Sequence, residues 1–112
     1  MTWTTWEEAK RQALLRDYHR CQYCGQHDGL DVHHRRARGM GGTQTKDRLS
    51  NLVTLCRRCH DHIEAYPDQA RALGYRLDWD QDPATSQIKA MTANGHAWWL
   101  LNDDGSMTWL RA

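Results

Sequence analysis

The sequence predicts an α+β fold in a single domain, and three observations carry that prediction. Two Cys-x-x-Cys pairs, Cys21/Cys24 and Cys56/Cys59, bracket a segment that holds two short β-prone runs, residues 30–35 and 52–55. Helix signals open the chain over residues 1–19 and return directly after the second cysteine pair, over 57–66. The remaining tail, 67–112, carries one more short helix and two apolar runs around a polar turn. The expected organisation is therefore an N-terminal helix (1–19), a metal-stapled core (20–66) and a helix-plus-hairpin extension (67–112).

Each element has a local cause. Thr4 with Glu7, and Thr5 with Glu8, have capping-box spacing, and Trp6, Ala9, Ala13 and Leu14 continue a helical face that should end near His19. In CQYCGQHDG the residues between the cysteines allow a tight knuckle, and Gly25 supplies the backbone freedom such turns need. Glycines at 39, 41 and 42 and the polar residues after them predict a loop, and the LVTL run at 52–55 should pair back on 30–35 as a hairpin. RRCHDHIEAY contains neither Gly nor Pro, and Pro67 should end its helix because the residue before proline disfavours the α region. PDQARALG starts with proline and ends with glycine, the usual order for a short helix. HAWWLL and SMTWL flank Asn102-Asp103-Asp104-Gly105 as a β-hairpin.

Composition bounds the function. No basic-then-apolar N-terminal run resembles a secretory signal, and no apolar stretch approaches the ~20 residues a membrane span needs. The expected setting is the cytoplasm, where paired cysteines hold metal before they form disulfides. Net charge is only +1, but residues 10–58 carry eleven basic against four acidic side chains, and 59–112 carry four against eight. A basic segment that coincides with the metal-donor segment suits a phosphate-backbone partner, although an ordinary solvated surface would look similar.

Four cysteines in two such pairs match a closed tetrahedral zinc site, structural because no position is left for substrate. Two disulfides, or unligated core cysteines, fit the compartment and the paired spacing less well. Between the pairs run Asp31-Val32-His33-His34-Arg35-Arg36, Gly41-Gly42 and Asn51-Leu52, and His60 follows Cys59 directly. Over about residues 18–66 this order closely resembles the HNH family of nucleases, and HHRRARGMGG with the tail resembles the small HNH endonucleases of tailed phages and prophages.

The resemblance implies a ββα-metal (His-Me finger) core and a metal-dependent endonuclease acting on double-stranded DNA, leaving a 5′-phosphate and a 3′-hydroxyl. It makes His34 the general base, a role that suits an imidazole because it titrates near neutrality. It makes His33 and His60 the ligands of a catalytic divalent ion (Mg²⁺, Mn²⁺, Ni²⁺ or Zn²⁺) and Asn51 the brace of the hairpin. Glu64, one turn after His60, stands where the colicin DNases place a third ligand; it either joins the ion or its water, or is a solvated helix residue. Neighbouring strand residues point to opposite faces, so His33 and His34 can share a site only where the strand bends or ends.

Arg35, Arg36 and Arg38 follow the base and could clamp phosphates, and Arg57 and Arg58 could do likewise. His19, His27, His62 and His96 fit surface or packing positions, and Trp98, Trp99 and Trp109 fit the core of the terminal hairpin better than a base-stacking platform. A monomer working beside a phage terminase large subunit in DNA packaging is the implied setting. The competing expectation is a zinc-knuckle nucleic-acid-binding module that does not cleave.

Overall fold

In the computed structural model, which describes residues 5–36, 47–92 and 95–112, helix α1 covers Trp6–Arg16. The Thr5 side chain caps it by accepting from the Glu8 N–H at 3.1 Å. The helix stops three residues before the position its sequence suggested, and Asp17 explains why. Its carboxylate is buried and committed elsewhere, accepting from Arg16 Nε and Nη2 (2.9 and 3.0 Å) and from the Thr54 N–H (3.0 Å). Arg16 then donates to the Leu49 and Leu52 carbonyls at 2.8 and 2.6 Å, so the end of α1 is bolted to the next segment. Tyr18 and His19 follow at φ +56° and +50°, a reversal that no helix could continue.

Strand β1 (Leu30–His34) pairs antiparallel with β2 (Leu52–Cys56), Leu30 opposite Cys56 and His34 opposite Leu52. All five β2 residues are buried because the strand is covered on both faces. Leu52 joins Ala9, Ala13, Val32 and Leu49 beneath α1, whereas Val53 and Leu55 join Cys21, Ile63, Tyr75, Ile88 and Leu101 on the other side. The hairpin thus divides two apolar clusters.

Helix α2 (Arg57–Ala65) leaves β2 without a loop, and Pro67 opens α3 (Pro67–Leu73). Gly74 closes α3 at φ +85°. A Cβ there would lie 2.1 Å from the Gln87 carbonyl oxygen and 2.7 Å from Ile88 Cα, so only glycine lets the two backbones meet. The chain then passes a 3-10 turn at Pro83–Thr85 into β3 (Ile88–Thr92), β4 (Gly95–Leu101) and β5 (Met107–Arg111), an antiparallel sheet in that order.

The tail is accordingly a three-stranded sheet and not the simple hairpin its sequence suggested. β3 was missed because IKAMT is short and half polar, with Ile88 and Ala90 buried in it. This sheet lies over the first cysteine knuckle, Met91 N–H donating to the Gln22 carbonyl (3.0 Å) and the Tyr75 hydroxyl reaching the Lys89 and Gln22 carbonyls at 2.6 and 3.0 Å. Trp99 packs against the larger cluster, Trp98 lies under the Arg111 guanidinium at 5.1 Å, and Trp109 is 58% exposed. Trp109 is therefore a surface residue, against the core position expected of it, because β5 is the sheet's edge. Among the described residues no helix is long and apolar enough to cross a membrane.

Candidate active site

The cysteine site is made of two chain reversals. In the first, Cys21 N–H donates to Gln26 O (2.7 Å), Gly25 N–H donates to Cys21 O (2.8 Å), and Gly25 sits at φ +86°. In the second, Cys56 ends β2 and Cys59 lies in the first turn of α2. All four are free thiols, three of them buried, and one sulfur from each lies within 4.8 Å of the others. Cys24 and Cys56 sulfurs are 3.7 Å apart. With Zn–S near 2.3 Å, a tetrahedron's edge is about 3.8 Å, whereas a disulfide is about 2.05 Å, so the cluster fits a zinc site and not a bridge. Burial alone would raise the Cys24 thiol, yet the Gln26 backbone N–H and the neighbouring thiols hold it down to about 7, whereas burial raises Cys21 and Cys59, so all four become thiolates together only around a cation.

A second donor set lies on the same helix. His60 follows Cys59 by one residue, turned about 100° around α2, and Glu64 is one turn further on. With His33 they place one donor atom each within 4.8 Å. The His33 and His60 rings meet edge to face at 5.2 Å, and His60 Nε2 lies 3.6 Å from Glu64 Oε1. His60 Nδ1 is buried without a hydrogen-bond partner, an orphan that a cation would satisfy. His33 Nε2 is 2.7 Å from the Tyr75 carbonyl, which can only accept, so that nitrogen carries the proton and Nδ1 keeps its lone pair. Burial pushes the His33 imidazolium down to about 4, more than the Tyr75 carbonyl raises it, and the neutral ring is the ligating form. Donor chemistry and geometry thus fit a divalent cation at His33, His60 and Glu64.

His34 is the last residue of β1 and borders the same cavity, of about 410 Å³, as His33, His60 and Glu64. The strand ending there lets neighbouring side chains share one site. Its ring stacks on Trp6 (5.1 Å between centroids, 23° between planes), and its Nε2 lies 3.0 Å from Asp47 Oδ1. Asn51 is buried just behind: its Oδ1 accepts from Arg36 N–H (2.7 Å), its Nδ2 donates to Arg36 O (3.3 Å), and its own carbonyl accepts from Arg35 N–H (2.8 Å). These bonds fix the backbone directly after His34.

Arg35 requires a correction. It is 1% exposed, and its guanidinium donates to the carbonyls of Gly74, Ser50, Pro83, Ser86 and Gln87 at 2.7–3.4 Å. Burial draws it down to about 9, still a cation at neutral pH, but it has no face left for a phosphate. Arg36 is half-buried with Nη1 3.3 Å from the Gln81 carbonyl, while Arg38 and the glycines at 41 and 42 lie outside the described residues.

Trp6, Asp47 and the Tyr75 carbonyl were not anticipated. Trp6 and Lys10 do share a helix face, yet only the packing of α1 beside β1 turns that face toward the histidines, and a backbone carbonyl leaves no mark in sequence.

A two-stranded hairpin running straight into a helix, with metal-donor side chains on the strand end and the helix, defines a ββα-metal domain. Residues 21–65 match the family model described as HNH endonuclease, so this segment is similar to the domain of that nuclease family. The match holds both donor sets, His34 and Asn51, and excludes α1 and everything from Tyr66 on. Neither a curated protein nor a solved structure matches the chain.

Proposed function

We propose that the protein is a metal-dependent endonuclease hydrolysing phosphodiester bonds in double-stranded DNA. The juxtaposition that carries this is His34 beside the His33–His60–Glu64 set in one open cavity. A divalent cation bound there would polarise the scissile phosphate and stabilise the departing oxygen. Hydrolysis also requires a base for the attacking water, and His34 is placed for it. The Asp47 carboxylate accepts from His34 Nε2–H, which leaves Nδ1 as the nitrogen able to take the water's proton. Trp6 stacking and the Asp47 contact limit how far that ring can turn, and the Asn51 brace holds the backbone that follows it. His33 and Glu64 contribute ligand atoms of different burial, the first fixed by Tyr75 O and the second 58% exposed on its side chain, so one side of the site is rigid and the other open to substrate.

The four thiolates hold zinc and set the ends of the hairpin. Activity in the bacterial cytoplasm beside a phage terminase large subunit completes the proposal, and co-purification with such a subunit, against an unrelated ATPase as control, tests that part. The central test is nicking or linearisation of supercoiled plasmid with added Mg²⁺, Mn²⁺ or Ni²⁺. His34→Ala should abolish it while the protein keeps one equivalent of zinc. Absence of cleavage by the wild type with every divalent ion would leave the non-cleaving binding module in its place.

A further inference from the structure

Most basic side chains near the site are spoken for within the protein. Arg16 is tied to Asp17, Arg35 to carbonyls, and Arg48 to Asp103 and Asp82. Lys10 and Arg76 are different. Both border the cavity that holds His33, His34 and His60, and among the described residues neither side chain makes a hydrogen bond or an ion pair. They come from opposite faces of the β1–β2 hairpin: α1 packs in the cluster with Leu52, and Tyr75, next to Arg76, packs in the cluster with Val53 and Leu55. Neither belongs to the segment that matches the HNH model, since Lys10 precedes it and Arg76 follows it.

Two unpaired cations at a cavity wall raise the local potential for an anion. Two carboxylates share the cavity, and each has its own partner: Glu64 lies beside His60, where the proposed cation would offset it, and Asp31 Oδ1 accepts from the Val32 N–H at 2.9 Å. A lysine offers a mobile point charge and an arginine a planar fork, and both are established partners of phosphate oxygens. We propose that Lys10 and Arg76 are the phosphate-binding groups of the site, gripping the backbone of the DNA strand to be cut from the two sides of the hairpin. This rests on the nuclease reading for its catalytic half and on phosphate chemistry alone for its binding half. It gives α1 and the segment after α3 a direct part in substrate binding that the matched core does not supply.

Both side chains are half-buried, so their removal should leave the fold intact, which a melting curve checks. The experiment is binding of a fluorescent duplex by anisotropy over a salt series without added divalent ion, paired with plasmid cleavage. The proteins are wild type, Lys10→Ala, Arg76→Ala, Arg76→Lys and Arg11→Ala. Arg11 is the charge-matched control, exposed on α1 about 100° around from Lys10. Lys10→Ala and Arg76→Ala should each flatten the dependence of log K on log salt by about 1 and lower kcat/KM by roughly 10–100-fold. Arg76→Lys should recover the slope but only part of the rate, because the fork is lost. If both alanine variants instead behave like Arg11→Ala in slope and rate, the proposal is overturned. Wild-type cleavage judges the nuclease reading and the salt slope judges this one, so the two failures are distinguishable.

Discussion

The two donor sets share α2 but are built to opposite ends. Three of the four cysteines are buried, and all four lie in reversals between residues 21 and 59, inside the segment matched to the family. In the His33–His60–Glu64 set exposure grows along the series, and the group that fixes His33 is the carbonyl of Tyr75, beyond the matched segment. The backbone behind His34 depends likewise on Arg35, whose five acceptors include four from residues 74–87. The extension braces both sets differently: it meets the cysteine knuckle at the Gln22 and Tyr23 backbone carbonyls, whereas it bonds the proposed donor His33 directly.

Breaking the staple should have the largest effect. Structural zinc contributes about 10–16 kcal/mol of apparent binding energy in small metallodomains, so Cys59→Ser should give a protein with no cooperative melt and less than one zinc. A variant that still melts cooperatively without metal would show that the apolar clusters suffice. Removing the extension's grip comes next. Arg35→Met strands buried carbonyls and should cost about 3–5 kcal/mol in urea unfolding, with zinc retained; a loss under ~1 kcal/mol would mean that the extension is only loosely attached.

His60→Ala and Glu64→Ala should barely move the melting temperature or the zinc content. They should weaken a second divalent ion, measured by calorimetry on zinc-loaded protein, by at least ~10-fold, His60 more than Glu64. Equal zinc loss in both would collapse the distinction between the sets. The smallest effect concerns Asp103, which holds Arg48 at 2.6 Å and the Ser50 N–H at 3.1 Å, next to Asn51. Burial opposes its charge, but these donors keep its carboxyl below the usual range. A depressed pKa stabilises the fold above the unfolded value and stops doing so as pH falls through the folded one. The stability gap between wild type and Asp103→Asn should therefore be full at neutral pH and close only below about pH 4. A gap that persists in acid would show the contact to be steric.

The legible parts of the sequence were those with local causes. Cysteine spacing, the proline and glycine bounds of α3, and the uninterrupted RRCHDHIEAY each act within a few residues, and the donor residues fall on strand and helix where those signals put them. What was illegible depends on distant partners. Asp17 ends α1 early because Thr54 and Arg16 claim it, and Arg35 looks like any surface arginine until carbonyls from residues 50–87 surround it. The basic excess over residues 10–58 was in part a misleading signal for the same reason, since Arg16, Arg35 and Arg48 are spent on internal contacts.

Cys59 and His60 being neighbours makes the first turn of α2 a gear that serves two sites at once. One residue inserted between them would swing His60 about 100° and advance it 1.5 Å while Cys59 stayed in place. On the proposed assignment, a change of length between Cys59 and His60 would separate the two donor sets, whereas substitution at the other positions of this turn would not.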